Sequence, residues 1–440
     1  MEGSKVFHWD FPHGIRSIAA LALLTVAASV GCVENHRQLK PAAGALAWPV
    51  AIAADPAGDF VYVVSTNFDS AWTGGTVLPI NATTLEKASE GAVEIGSFGG
   101  QVVVSAMPGG GSRVWVPSRD KDTLEFADVL RLDGGPFLDC QASDEDEADE
   151  GDQGAAVPVQ PDAAQADPAG FHRCAGEHAI SLKQFKVTEE DGKTYFADNP
   201  YGVAVGRPIS LSDGRTVRPV YVAGILGAAL DMFLAGDDGV VEHKAVAKLD
   251  QGSHTVLEYA VTDHERVIWI SNREFNEIVV AHATISARGD VDLRVDGTAP
   301  AELLGSTGDY FRGMIRSGVG PFVYAAYRSP AGLAVFEIVG GGDLRYRHLI
   351  PLDGDPAEVA SFVDQDGHET LYVTENALDY VYAVDPVSGT VIDTIYVGAA
   401  PYGIAIAGGR AFVANFEDST VSVFGVDPAR DDYHVAGVIE

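Results

Sequence analysis

The sequence is poor in positive charge. It holds 29 lysine and arginine residues against 63 aspartate and glutamate residues in 440 positions, a formal net charge of -34. A surface of that sign repels phosphate backbones and anionic headgroups, so nucleic acid and acidic membrane lipids are excluded as partners. The excess of acid predicts high solubility, with a surface adapted to salt as the alternative.

Several motifs of catalytic and cofactor sites are missing as well. The chain has no Gly-x-Ser-x-Gly nucleophile turn, no phosphate-binding Gly-Lys-Ser/Thr loop and no Cys-x-x-Cys-His haem site. His368-Glu369 lacks the second histidine of a zinc-protease helix, and Asp364-Gln365-Asp366-Gly367 is too short for a calcium loop. We therefore predict no cofactor and no metal, and no carboxylate pair can be assigned as acid and base.

Cysteine is scarce, with three residues in the chain. The first, Cys32, follows Ile18 to Val30, an apolar stretch that is too short to span a bilayer and is typical of an export signal. Gly31-Cys32 resembles a bacterial lipoprotein cleavage site. The resemblance implies a signal peptide over residues 1–31, a lipid on Cys32 as the only link to a membrane, and a tether over 32–47; ordinary secretory cleavage is the alternative.

What the sequence does contain is a repeat. Leu371-Tyr372-Val373-Thr374-Glu375-Asn376, followed by Val384-Asp385-Pro386, is answered 42 residues later by a similar pair of runs that ends at Val426-Asp427-Pro428. Each copy has two short runs rich in Val, Tyr and Phe around a polar turn, which predicts a β-hairpin. The pattern resembles the YVTN repeat, one blade of a β-propeller. The resemblance is close over residues 356–428 and departs at Glu375, where the family has Asn.

Weaker copies extend the repeat over residues 48–440 and predict an all-β fold, a seven-bladed β-propeller of four-stranded antiparallel blades. The seven repeats begin at Pro49, Gly99, Pro200, Val256, Phe311, Pro356 and Pro401. Each start is followed by a second strand with one aromatic residue at a matching place: Tyr62, Trp115, Tyr221, Trp269, Tyr324, Tyr372 and Phe412. We expect these rings to pack between neighbouring blades.

The second repeat contains an insertion, because Gly99 and Pro200 are 101 residues apart whereas the other starts are 45 to 56 apart. We place the insertion at residues 133–178. Its run of Asp144-Glu145-Asp146-Glu147 and its Ala, Pro, Gln and Gly residues predict a disordered, acidic loop. Cys140 and Cys174 lie near its two ends, and in an exported protein they predict a disulfide. A metal site built from Cys140, His172, Cys174 and His178 is the alternative.

The resemblance to propellers also implies a location for ligand binding, at one end of the central channel. The candidate residues lie on loops after the second strands: Asn67, Arg119, Asn272, Arg273, Arg328, Asn376, Asn415 and Phe416. The three arginines are suited to an anionic ligand. Alternatively, the arginines pair with nearby acids and the asparagines stabilise turns through their own backbone.

Together these patterns predict a propeller lipoprotein of the cell envelope, in the periplasm or at the cell surface and anchored to the outer membrane. It would act as a binding or scaffold module for a protein, a peptide or a small anionic ligand at the channel mouth. The first alternative is a propeller enzyme, either a lactonase-like hydrolase or a metal-dependent lyase, with His254, His264 and Asp309 as the residues of interest. The second alternative is a surface adhesion protein.

Overall fold

The computed structural model describes residues 40–132, 135–140, 172–301 and 310–440, which form one compact unit. The predicted signal peptide and Cys32 lie outside the described residues. The described chain forms seven successive β-sheets of mostly antiparallel strands, arranged as the blades of a β-propeller, and a separate two-stranded sheet of Val187–Thr188 and Thr194–Tyr195. No helix in the described ranges has the length and apolar character needed to cross a bilayer.

Each blade is built from four strands in sequence order. The inner strands are Pro49–Ala54, Val103–Ala106, Pro200–Val205, Ser253–Ala260, Phe311–Arg316, Pro356–Val363 and Pro401–Ala407. The second strands are Phe60–Ser65, Ser112–Ser118, Thr216–Gly224, Glu265–Asn272, Phe322–Arg328, Glu369–Glu375 and Arg410–Asn415. The third strands are Gly75–Asn81, Thr123–Leu132, Ala229–Gly236, Glu277–Ile285, Ala331–Val339, Tyr380–Asp385 and Thr420–Gly425. The fourth strands are Val93–Ile95, Ala179–Ser181, Val241–Lys248, Val291–Pro300, Asp343–Pro351, Thr390–Tyr396 and Gly437–Ile439.

Five of the seven predicted starts are the first residue of an inner strand. The two others are displaced. In blade 2 the strand begins at Val103, because Gly99 makes only an isolated bridge to Ser118. In blade 4 it begins at Ser253, which pairs with Asn272, and the register then shifts before Val256 pairs with Ile270. The apolar alternation resumes only after that shift, so the sequence pattern marked Val256 instead.

The seven aromatic residues are buried between blades, as predicted. Tyr324 is 4% exposed, and the other six are fully buried. Each of the seven packs in an apolar cluster shared with the next blade. Tyr62 of blade 1 packs with Val114 and Val116 of blade 2. Phe412 of blade 7 packs with Ile52 and Val61 of blade 1. The last of these clusters closes the ring, so blades 7 and 1 are joined by side-chain packing.

The segment before the first strand also helps to close the ring. Leu46 is buried in the cluster that Phe412 shares with blade 1. The amide of Ala47 donates to Ser65 Oγ in blade 1, and the amide of Trp48 donates to Ser419 Oγ in blade 7, at 3.1 and 3.3 Å. Residues 44–48 therefore join the first and last blades without adding a strand.

The insertion lies within blade 2, and both of its described ends form strands. Gly135–Asp139 pairs with the third strand of blade 2, and His172–Arg173 pairs in parallel with Val93–Ile95 of blade 1. The predicted limits of 133 and 178 therefore include regular structure. The prediction of a disordered loop over 133–178 is therefore wrong for 135–139 and 172–173, and residues 133–134 and 141–171 lie outside the described residues.

The predicted disulfide between Cys140 and Cys174 is confirmed, with Cα atoms 4.9 Å apart. Both cysteines are buried in the apolar cluster between blades 1 and 2, together with Leu138 and Val129. The bond therefore fixes the ends of the insertion to a blade interface. It also removes the alternative metal site, because a disulfide sulfur has no thiolate to offer a metal.

Loss of this disulfide should destabilise the propeller. We expect the Cys140→Ser/Cys174→Ser variant to unfold with a free energy lower by about 2 to 4 kcal/mol, since 34 residues separate the cysteines and closing such a loop restricts the unfolded chain. Urea unfolding measures the difference. A reductant should lower the midpoint of the native protein and leave that of the variant unchanged. Labelling of Cys140 by a thiol reagent without reductant would contradict the bond.

Candidate binding site at the channel mouth

The inner strands surround a central channel, and its mouth is the end at which these strands begin. In six blades the pairing of the inner strand with the second strand shifts register just after the first residue. Such a β-bulge re-aims a side chain out of the regular sheet pattern. The bulged segments contain Tyr201, His254, Arg312, Glu358 and Tyr402.

Contacts across the ring show that these side chains converge in the channel. Nε2 of His254, in blade 4, lies 3.1 Å from the hydroxyl oxygen of Tyr402, in blade 7. Arg312 Nη1, in blade 5, donates to the same hydroxyl at 3.1 Å. The ring of Tyr201, in blade 3, lies 4.2 Å from that of His254. Blades 4 and 7 are not neighbours in the ring, so the contact between them runs through the channel.

The backbone is shaped to bring these residues together. A Cβ atom on Gly202 would lie 2.1 Å from the carbonyl oxygen of His254, and one on Gly313 would lie 2.7 Å from Cα of Glu358. Only glycine allows such an approach. Thr374 bridges two of these segments by hydrogen bonds. Its hydroxyl donates to the carbonyl of Tyr402 at 2.7 Å and accepts from the amide of Glu358 at 2.9 Å.

Three arginines influence the titration of His254 in the channel. Burial lowers the pKa of His254 well below its usual range, and Arg312, Arg273 and Arg119 lower it further, so the imidazole is neutral at neutral pH. Burial likewise lowers the pKa of Arg119. Arg273 lowers the pKa of Arg119 further, whereas Tyr201 and Tyr402 raise it. Of these arginines, Arg312 is placed by a contact, since it donates to the Tyr402 hydroxyl that His254 also contacts.

A buried carboxyl group also lies in the channel. Glu358 lines a cavity of about 110 Å³, together with Gln101, Tyr201 and Met314. Desolvation raises its pKa to about 8, although Arg312 acts in the opposite direction. Because desolvation opposes the charged form, Glu358 holds its proton to a higher pH than an ordinary glutamate.

Two of the three predicted arginines contribute to the mouth, and the third is engaged elsewhere. Arg119 Nε donates to the carbonyl of Phe98 at 3.0 Å. The backbone of Arg273 joins two loops at this end, because its amide donates to the carbonyl of Gly252 and its carbonyl accepts from the amide of Tyr310. Arg328 forms an ion pair with Asp355, which lies on the loop leading into the next inner strand. For Arg328 the structure therefore favours the pairing alternative.

The predicted asparagines are mostly turn formers. Asn67 donates to the carbonyl of Trp72 and to Ser97 Oγ, and Asn415 donates to Thr420 Oγ1 and Ser422 Oγ; both asparagines are buried. Asn376 is half-buried, and its amide donates to the carbonyl of Asp355. These contacts follow the alternative in which asparagine stabilises its own loop.

Buried Asn272 accepts, through Oδ1, from the amides of Glu274 and Phe275. Glu375 holds the matching position of blade 6, where the YVTN pattern has Asn, and its carboxylate accepts from the amide of Asp355. Its side chain therefore binds the loop that leads into the inner strand of the same blade, whereas Asn272 binds the turn that follows its own strand.

Phe416, also predicted, belongs to a group of four aromatic rings at the mouth. Its ring lies 5.2 Å from that of Trp48 and 5.3 Å from that of Phe68, and the Phe68 ring lies 6.2 Å from that of Phe98. We call Trp48, Phe68, Phe98 and Phe416 the aromatic cluster. The guanidinium carbon of Arg119 lies 5.6 Å from the Phe98 ring, so the cluster adjoins the arginines.

Sequence reasoning missed the residues at the centre of the site. Tyr201, Arg312, Glu358 and Tyr402 were assigned no role, although three of them stand before a glycine at the start of an inner strand, as in Pro200-Tyr201-Gly202. A bulky polar or aromatic residue followed by a glycine at a strand start is the signal that would have identified the bulge.

The residues considered for catalysis are dispersed. His254 is in the channel, where its ring nitrogens lie at the hydroxyls of Tyr402 and Thr255. His264 is exposed in the turn at the far end of the same inner strand, and Asp309 is outside the described residues. Among the described residues, the one group able to hold a metal is Asp364, Asp366 and His368. It occupies the turn after the inner strand of blade 6, so it is far from the mouth.

Comparisons with known proteins agree on the class of protein, a seven-bladed β-propeller. No family model matches the chain, and no curated protein matches it. Among solved structures, it is similar to the Kuenenia stuttgartiensis hydrazine synthase, with 15% identity, a TM-score of 0.54 and coverage of 90% of this chain and 99% of that one. It is also similar to the periplasmic gluconolactonase of Pseudomonas aeruginosa, with 15% identity, a TM-score of 0.52 and coverage of 89% and 95%. At such low identity these similarities show the fold alone.

Proposed function

We propose that this protein binds a small anionic ligand at the channel mouth, as a binding module of the cell envelope. The observation that carries the proposal is the position of two arginines at the mouth of a protein of net charge -34. Arg312 Nη1 donates to the Tyr402 hydroxyl that also contacts His254, and Arg119 lies against Phe98. A carboxylate or phosphate bound there would accept charge-assisted hydrogen bonds from an arginine.

Titration calorimetry with small anions tests the proposal. We expect acetate, phenylacetate or inorganic phosphate to bind, and Arg119→Gln to weaken binding by about tenfold to a hundredfold, because one charge-assisted hydrogen bond contributes about 1.5 to 3 kcal/mol. Arg294→Gln is the matched control, since it removes one positive charge from an exposed pair with Asp292 on the outer strand of blade 4. Equal losses in the two variants would mean that overall charge, and no site at the mouth, governs binding.

An enzymatic role is the second candidate, and one observation favours it. Glu358 holds a carboxyl group with a pKa of about 8 in the channel, next to Arg312. A carboxyl that keeps its proton at neutral pH is suited to general acid catalysis, as a lactonase-like hydrolase would need. Hydrolysis of simple lactones by the native protein, abolished by Glu358→Gln, would support this role. Absence of turnover in the native protein would leave binding as the function.

We also propose that the protein is exported and lipid-anchored through Cys32, as a member of the YVTN-repeat propellers. The Cys140–Cys174 disulfide supports export, since such bonds persist in oxidising compartments. Glu375 occupies in blade 6 the strand position that Asn272 occupies in blade 4, which supports the repeat assignment despite the missing asparagine. An acylated Cys32 as the first residue in the mass spectrum of native protein is the expected result. An intact mass with an unmodified Cys32 would refute the anchor.

A further inference from the structure

We propose that a cleft between blades 2 and 3, separate from the channel mouth, binds the ammonium group of a primary amine. The cleft has a volume of about 520 Å³, and its lining includes Glu177, His178, Phe185 and His243. We call it the side cleft. The inference goes beyond the proposed function, because none of these residues belongs to the mouth.

The side cleft exists because the outer position of blade 2 is filled by two separate strands. Gly135–Asp139 and Ala179–Ser181 pair with different parts of the third strand and leave Phe126 and Ala127 between them without an outer strand partner in the described chain. The carbonyl of Phe126 is instead bonded by His178, whose Nδ1 lies 3.1 Å away. The gap between the two strands is therefore closed by a histidine side chain.

His178 offers a buried acceptor to this cleft. A carbonyl oxygen only accepts, so Nδ1 carries the hydrogen of the neutral ring and Nε2 keeps its lone pair. The residue is only 9% exposed, and Nε2 lies 4.0 Å from Oε1 of Glu177, which is too long for a hydrogen bond between them. Two acceptors at this separation can share one ammonium nitrogen at hydrogen-bonding distance from both.

His243 offers a second acceptor from blade 3. Its Nε2 lies 2.9 Å from Oδ1 of Asp231, a fully buried carboxyl group. Desolvation raises the pKa of Asp231 to about 6, so this carboxyl is ionised at neutral pH and accepts from Nε2. Nδ1 of His243 therefore keeps its lone pair. Asp231 Oδ2 has no hydrogen-bond partner among the described residues, so an incompletely compensated negative charge lies behind the ring.

The side cleft has more acceptors than donors. Its one cationic side chain is Arg113, whose Nε and Nη2 donate to Asp128 and whose Nη1 donates to the carbonyl of Gly239. Three carboxylates line the cleft against this single guanidinium: Asp128, Glu177 and Asp238. A ligand that fits must therefore supply N–H donors and positive charge. No three metal-ligating side chains of the cleft lie close enough together to hold a metal ion, so the cation is organic.

Aromatic rings favour a ligand with an apolar body. The half-buried ring of Phe185 stacks on His243 with centroids 3.6 Å apart and meets Phe233 edge-on at 5.6 Å. The guanidinium carbon of Arg113 lies 4.4 Å from the centre of the Phe126 ring, so this environment already stabilises one cation against an aromatic face. An amine on a short aromatic chain would place its charge at the acceptors and its ring beside Phe185.

Calorimetry with three matched probes tests the inference: 2-phenylethylamine, 2-phenylethanol and the trimethylated form of the amine, which keeps the charge but has no N–H donor. We expect the amine to bind at least about tenfold more tightly than either of the other two, because a charge-assisted hydrogen bond is lost in both.

Glu177→Gln locates the binding, because it removes one acceptor charge from the side cleft. We expect it to weaken binding of the amine by about fivefold or more, since the carboxylate would bond to the ammonium directly. Glu190→Gln is the matched control: Glu190 is exposed in the turn between Thr188 and Thr194, outside the cleft, and its substitution should leave the affinity unchanged.

Three results would overturn the inference. Equal affinities for 2-phenylethylamine and 2-phenylethanol would mean that only an apolar surface binds. Equal affinities for the amine and its trimethylated form would mean that the acceptors take no part. Equal losses in the two glutamate variants would mean that the overall charge of the protein attracts the amine. Binding of acids at the mouth is measured separately, so none of these results bears on the proposed function.

A final comparison identifies the source of the ammonium group. A short peptide with one lysine, acetylated at its amino terminus and amidated at its carboxyl terminus, presents the same group on a polypeptide. Binding of this peptide as tight as that of 2-phenylethylamine would assign the side cleft to a lysine side chain of a partner. Preference for 2-phenylethylamine would assign it to a free amine.

Discussion

The Glu358→Gln variant is expected to be more stable than the native protein above pH 8, by about 3 to 5 kcal/mol. The pKa of Glu358 is raised by desolvation from 4.5 to about 8 in the folded state. Below pH 4.5 the carboxyl is protonated whether the chain is folded or unfolded, so it does not affect stability. Between pH 4.5 and 8 only the unfolded chain releases the proton, so the stability of the native protein falls by up to about 1.4 kcal/mol per pH unit.

Urea unfolding of both proteins between pH 5 and 9 measures this effect. Asp231 is also buried, and desolvation raises its pKa to about 6, so the native protein has a second group acting in the same direction. The difference between native protein and variant isolates Glu358, because Asp231 is present in both. Parallel stability curves, or a variant less stable than the native protein at every pH, would mean that Glu358 is ionised and paired with Arg312.

Trp269→Ala should cost about 4 kcal/mol or more in the free energy of unfolding. The side chain is fully buried between blades 4 and 5, where truncation of a tryptophan leaves a large cavity. Its Nε1 also donates to the carbonyl of Gly342 in blade 5 at 2.9 Å, and the variant leaves that carbonyl without this donor. Chemical unfolding followed by far-ultraviolet circular dichroism measures the free energy of unfolding, because this signal comes from the backbone and not from the tryptophan that is removed.

Tyr396→Ala is the matched control for that truncation, because Tyr396 lies on the outer strand of blade 6 and is 74% exposed. We expect it to change the free energy of unfolding by less than about 1 kcal/mol. A comparable effect of the two substitutions would contradict the assignment of the aromatic positions to the interfaces between blades.

The repeat made most of the fold predictable from sequence. One aromatic residue recurs in each second strand, and burial against the next blade is the only environment that all seven share. The predicted starts of two inner strands were wrong, because local backbone geometry interrupts the sequence repeat there. At Ser253 a bulge separates the start of the strand from its apolar alternation, and at Gly99 a single bridge replaces the beginning of a strand.

The site was predictable only in part. Arg119 and Arg273 were found because they follow second strands at the channel end. Arg328 satisfies the same rule, but its partner Asp355 stands 27 residues later on another loop, which a sequence pattern does not bring together. Tyr402, His254 and Arg312 come from three different blades, and only the closed ring places them in contact.

A crystal structure of the protein with 4-bromophenylacetate would test the central claim, that the channel mouth is a binding site for an anion. We expect an anomalous bromine peak at the channel mouth, with the carboxylate of the ligand at Arg119. A bromine peak only in another pocket of the propeller, with the mouth filled by solvent, would contradict it.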